Sequence, residues 1–89
     1  MSDPAKAVLT FPCSFPVKAF GKSDGGFEAI VTSIVRRHVP QLDDAAITRR
    51  YSRDGNYLAV TATFIAESRE QLDALYQELS GHAQVLWVL

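Results

Sequence analysis

The chain has 89 residues with a formal net charge of -1, a hydrophobic fraction of 47% and a charged fraction of 21%, which suits one small folded domain and leaves no room for a second. So balanced a charge gives no general attraction to nucleic acid or anionic membranes, and a polyanion could be met only by a local patch. The single cysteine, Cys13, excludes an internal disulfide; the opening residues lack the basic start and apolar core of a secretory signal, and no apolar run reaches membrane-spanning length, so a cytoplasmic protein is expected.

Residues 1–10 mix Ser2, Asp3, Pro4 and Lys6 with no sustained period, predicting a flexible N-terminal segment ahead of a single domain over residues 11–89. In "FPCSFPVKAFG", Pro12 and Pro16 forbid helix, and a first strand is expected from Phe15 to Phe20 with Pro16 at its start. "GKSDGG" follows as a turn. Phe27, Ile30, Val31, Ile34, Val35 and His38 then recur at helical spacing, with Ser23 or Asp24 placed to cap the first turn and Arg36, Arg37 and His38 at the end where the dipole favours cations. Pro40 closes this helix. Beyond the linker "QLDDAA", Ile47 to Ser52 reads as an edge strand, and Gly55 and Asn56 can supply the positive φ values of a hairpin turn. Tyr57 to Ile65 alternates as a third strand. Ser68 and Gln71 match a capping box, Leu72, Leu75, Tyr76 and Leu79 form the stripe of a second helix, and Gly81 can end it in a left-handed conformation. The last residues, "AQVLWVL", make a fourth strand.

The order βαββαβ predicts an α+β, ferredoxin-like two-layer sandwich: an antiparallel four-stranded sheet of order 4-1-3-2 with two helices on one face. The period of two assigns Leu58, Val60, Ala62 and Phe64 to the helices and Tyr57, Ala59, Thr61, Thr63 and Ile65 to the uncovered side. In the fourth strand Val85, Trp87 and Leu89 share one face and Leu86 and Val88 the other, so an edge strand has no polar side. Either another subunit covers the open face, or the segment around Val8, Leu9 and Phe11 folds over it. The interaction surface expected from this reading is Tyr57, Thr61, Thr63, Leu86 and Val88, meeting a protein partner or a second copy.

Chemistry is harder to find. Cys13, His38 and His82 show no close metal-ligand spacing, and Asp43 with Asp44 reads as a solvated turn rather than an acid and base pair. No catalytic group, metal or cofactor is expected, and the chain is read as a non-enzyme. Gly21, Lys22, Ser23, Asp24, Gly25 and Gly26 match no phosphate-loop pattern, although a helix N-terminus beside Lys22 could hold a small anionic effector. Arg36 and Arg37 with Arg49, Arg50 and Arg53 could merge into a basic patch for an RNA backbone or an acidic protein. Base stacking needs aromatic rings on the central strands, and the open side of the third strand offers Thr61 and Thr63 instead, so nucleic acid is the secondary reading.

"LTFPCSFPVKAFG", "IVRRHVP", "GNY", "LYQEL" and the terminal "VL" together resemble the YbeD-like family of small, uncharacterised bacterial proteins, over nearly the whole span from Leu9 to Leu89. The resemblance implies a ferredoxin-like fold similar to the ACT-type regulatory domains that bind amino acids and control metabolic enzymes. It also implies a metabolic setting, since genes of that family often lie near those for lipoate attachment. ACT domains usually hold effectors near the loop from strand one to helix one, here Gly21 to Gly25, and this loop departs from their usual Asp-Arg-Pro-Gly sequence. The function expected is a regulatory or adaptor domain acting through association.

Overall fold

The computed structural model describes residues 9–89, and the expected flexible segment falls for the most part outside them. Strand β1, Cys13–Lys22, begins before Pro16 rather than at it. The reason lies in which side of the strand each N–H faces: Lys18 N–H and C=O both bond Leu89, on the side of the last strand. Pro16, two residues earlier, points its nitrogen to that same side but lies past the two-residue partner strand, so no ladder bond is lost.

Helix α1, Phe27–His38, buries Phe27, Val31, Ile34 and Val35 on one stripe. Neither expected cap is used. Gly26 stands at the N-cap with no side-chain hydrogen bond, while the Ser23 hydroxyl donates to the Gly55 carbonyl and the Ser23 N–H donates to the Asn56 carbonyl at 3.0 Å. Ser23 thus ties the β1–α1 loop to the neighbouring hairpin. A short 3-10 turn, Asp44–Ala46, is capped by Asp43, whose carboxylate accepts from the Ala45 N–H at 3.0 Å.

Strands β2, Ile47–Tyr51, and β3, Tyr57–Ala66, form the hairpin. Gly55 takes φ 78° at its turn, and Asn56 keeps a negative φ. Asp54 completes the turn by accepting from the Ser52 hydroxyl at 2.8 Å and the Asn56 N–H at 3.0 Å. Its carboxyl is held below the usual aspartate range, chiefly by the Asn56 N–H and then by Ser52.

Helix α2, Arg69–Gly81, starts as its capping signal requires, the Ser68 hydroxyl accepting from the Gln71 N–H at 3.1 Å. The Gln71 side chain accepts from the Glu67 N–H, one residue ahead of the cap, and donates to the His38 carbonyl at 2.9 Å, so it also caps the end of α1. Gly81 stays within the helix and does not turn left-handed; among the described residues only Gly25 and Gly55 have positive φ.

Strand β4 is confined to Trp87–Val88, shorter than expected, and the sheet runs β2-β3-β1-β4 with every pairing antiparallel. Both helices pack on one face over Val17, Ala19, Leu58, Val60, Ala62, Phe64 and Ala66. Leu9 and Phe11 pack against this buried cluster, and Val8 lies outside the described residues. No helix among the described residues is long and apolar enough to cross a membrane.

Candidate functional site

Directly paired residues of an antiparallel sheet share a face, so the register identifies the surface that no helix covers. One row across it is Thr48, Thr61, Lys18 and Leu89; the next is Arg50, Ala59, Phe20 and Trp87. Tyr57 with Lys22, Thr63 with Pro16 and Ile65 with Ser14 extend it to both ends. Tyr57, Thr61 and Thr63 therefore lie where the alternation of β3 placed them, with Tyr57 and Thr63 exposed and Thr61 half-buried.

The last strand requires a correction. Val88 is paired with buried Ala19 and packs against the core, so it belongs to the helix side and not to the interaction surface. Leu86 is exposed but sits beside Lys22, Asp24, Ala83 and Gln84 at the sheet's end, while Val85 turns inward. The open face instead receives Trp87, which stacks on Phe20 with ring centroids 4.7 Å apart and planes 22° from parallel. Trp87 stacks on Phe20 through one ring face and remains 53% exposed. Lys18 Nζ lies 6.0 Å from the Phe20 ring centroid on the same surface.

Phe20 and Trp87 are the residues missed in sequence. The signal for Phe20 was present: Lys18, Phe20 and Lys22 share one parity of β1, opposite Val17, Ala19 and Gly21. Trp87 gave no such signal, because every residue of "VLWVL" is apolar and alternation alone cannot say which parity faces in.

Of the expected basic patch, Arg36, Arg37 and Arg49 come together along one recess, with Glu28 and Asp44 among them. Arg36 pairs with Asp44, Arg37 with Glu78 and Arg49 with Glu28, so carboxylates already answer the guanidinium groups along α1 and its neighbours. The Arg49 guanidinium holds the Glu28 carboxyl below the usual glutamate range. Arg50, one residue on, alternates to the open face, and Arg53 sits in the hairpin turn; neither makes an ion pair among the described residues. The open face thus carries Lys18, Lys22 and Arg50 with no Asp or Glu at any strand position.

In the β1–α1 loop, Gly21 is buried within β1, where an added Cβ would lie 2.4 Å from the Phe27 ring and 2.7 Å from the Gln84 carbonyl oxygen. Gly25 takes φ 96°, a conformation open chiefly to glycine. Two of the loop's glycines therefore have packing or backbone reasons, and Lys22 shares a shallow recess with the Asp24 carboxylate. Cys13, His38 and His82 are dispersed: Cys13 opens β1, His38 Nε2 lies 2.7 Å from Glu78, and the His82 ring accepts from the Gln84 N–H at 3.1 Å.

A family model described as "Protein of unknown function (DUF493)" matches residues 6–89. A UPF0250 protein of Nitrosomonas europaea is 45% identical over 84 residues, spanning 94% of this chain and 97% of the relative. One from Bordetella pertussis is 42% identical over 86 residues, spanning 97% and 94%. Among solved structures, the solution structure of a protein from H. pylori superposes with a TM-score of 0.71 at 12% identity, covering 100% of this chain and 93% of that one. The ACT domain of the GTP pyrophosphokinase of Chlorobium tepidum superposes at 0.54 with 14% identity, covering 85% and 94%. The last two establish likeness of fold, ferredoxin-like and ACT-like.

Proposed function

The chain belongs to the DUF493 family of proteins of unknown function, and we propose that it is a non-enzymatic regulatory or adaptor domain of the cytoplasm that works by binding a macromolecular partner on the uncovered face of its sheet. The observation that carries this reading is the face itself, where the Phe20–Trp87 stack, Tyr57 and Ile65 meet water beside Lys18, Lys22 and Arg50. Large apolar groups gathered on one side of a small domain mark an interaction site more often than scattered ones do. The charge pattern narrows the partner. A second copy laid face to face would bring Lys18, Lys22 and Arg50 against the same cations, whereas an anionic partner would neutralise them. The loop Gly21 to Gly26 is a subsidiary candidate for a small anionic effector, resting on the helix N-terminus beside Lys22.

Photo-crosslinking tests the surface. A photoreactive residue at Thr63, on the open face, is expected to give high-mass adducts in cells, while the same residue at exposed Asp73 on α2 gives none. Equal adducts from both positions, or none from Thr63, would remove the open face as the binding surface.

A further inference from the structure

Resting on the open face as binding surface, we infer that its partner is single-stranded RNA, with a base stacked on the free face of Trp87 and the backbone lying across Lys18 and Arg50. Three features of the face combine. First, Phe20 and Trp87 form a stacked pair spanning β1 and β4, with 53% of Trp87 left exposed. An exposed ring that already stacks on its inner side offers its outer side to any base, because every base has a π-face.

Second, the cations are placed for a strand crossing the sheet. Arg50 lies in the same row as Phe20 and Trp87, and Lys18 in the next. A shallow recess of about 320 Å³ toward the β2 edge is lined by Lys18, Thr48, Arg49, Arg50, Ala59 and Thr61, and Ala59 is the cross-strand neighbour of Phe20. Lys18 and Arg50 make no ion pair among the described residues, in contrast to Arg36, Arg37 and Arg49. Cations left unpaired beside exposed rings are the combination that grips phosphate while bases stack.

Third, Thr48, Thr61 and Thr63 put hydroxyls on the same surface. A ribose 2′-OH both donates and accepts hydrogen bonds, and such hydroxyls are suited to it in a way an apolar sheet would not be. This route to RNA differs from the arginine patch expected from sequence, whose members on α1 are occupied by carboxylates.

The test is titration of the purified full chain with a fluorescein-labelled single-stranded RNA of random ten-nucleotide sequence, beside DNA of the same design. The chain holds one tryptophan and three tyrosines, so emission excited at the red edge, where tyrosine does not absorb, reports Trp87 alone. Binding is expected to quench that emission and to weaken with salt at a log-log slope near -2, as about three phosphate contacts give for a single strand. Trp87→Ala is expected to weaken binding about 5- to 150-fold, the range of one lost stack, and Trp87→Tyr to restore most of it. Arg50→Gln, at an exposed edge position where folding is not at issue, should flatten the slope by about 0.7. Absence of RNA binding at low salt would overturn the inference, and so would equal affinity for DNA. Loss of binding in Arg36→Gln/Arg37→Gln with none in Trp87→Ala would do the same. If Thr63 crosslinks to protein while RNA fails to bind, the surface stands and RNA as its partner falls.

Discussion

Toward the helices, β1 and β3 present Val17, Ala19, Leu58, Val60, Ala62 and Phe64, all buried; away from them the same two strands present Lys18, Phe20, Ala59, Thr61, Thr63 and Ile65, exposed or half-covered. One backbone thus carries two surfaces under different demands. The first is apolar throughout and closed by α1 and α2, so its energetics are those of packing. The second mixes rings, hydroxyls and unpaired cations, a set that contributes little to holding a sheet together. Polar groups answer each other elsewhere: Arg36, Arg37 and Arg49 each have a carboxylate, and among the described residues Lys18 and Arg50 have none. Packing is concentrated on one side of the sheet, and the other side adds little to it.

Adjacent residues on β3 give the strongest way to break that division. Phe64 is 6% exposed and faces the helices, while Ile65 is 51% exposed and faces away. Phe64→Ala is expected to cost about 3–5 kcal/mol, enough to unfold much of a domain whose total stability is of order 5–15 kcal/mol. Ile65→Ala should cost less than about 1 kcal/mol. Urea titrations of the two variants decide the matter, and similar losses from both would show that the open face is packed against something in the free protein.

Gly21 probes the division where the strand approaches the helix layer. An added Cβ meets the Phe27 ring at 2.4 Å, and the Gln84 carbonyl blocks retreat at 2.7 Å. Gly21→Ala is therefore expected to destabilise by about 1–3 kcal/mol through overpacking. Lys22→Ala, at the next position and on the open side, should fall within about 0.5 kcal/mol of the parent. Thermal unfolding of both reads the difference, and a neutral Gly21→Ala would mean that Phe27 yields more readily than its burial implies.

The sequence carried the fold because its long elements have unambiguous periods: the Phe27 to Val35 stripe, the Ser68 cap and the alternation of β3 each admit one reading. The strand order in the structure is the expected one read from the other edge. The site was less legible for three physical reasons. In "VLWVL" no polar residue fixes the parity, and only the pairing of Val88 with Ala19 puts Val88 inward and Trp87 outward. The arginines looked available because their partners are remote in sequence, Glu28 lying 21 residues from Arg49 and Glu78 lying 41 from Arg37. Ser23 looked like a helix cap because local spacing favours one, yet its hydroxyl reaches 32 residues away to Gly55. Long-range pairing overrides local pattern at each of these points, and the Phe20–Trp87 stack is itself a pairing across strands.

The smallest expected effect separates paired from unpaired arginines. Arg49 lowers the Glu28 carboxyl pKa chiefly by hydrogen bonding; desolvation opposes it, and the Arg49 charge adds a smaller lowering. A carboxyl whose folded pKa is depressed contributes stability that is present in full above its unfolded value and is lost as pH falls through the folded one. Both partners are substantially exposed, with side chains 35% and 54% accessible, so solvent screening limits the pair to a small fraction of the domain's stability at neutral pH. Glu28→Gln should therefore lower stability by that small fraction near pH 7, and the gap to the parent should close as the pH drops below the ordinary glutamate range. Arg50→Gln leaves no carboxylate behind among the described residues, so its effect on stability should be near zero and the same at both ends of that pH range. Urea midpoints measured from pH 7 down to pH 3 check both. A pH-dependent loss in Arg50→Gln would reveal an acidic partner for Arg50 in the free protein, and with it a face less open to a polyanion than its row of cations indicates.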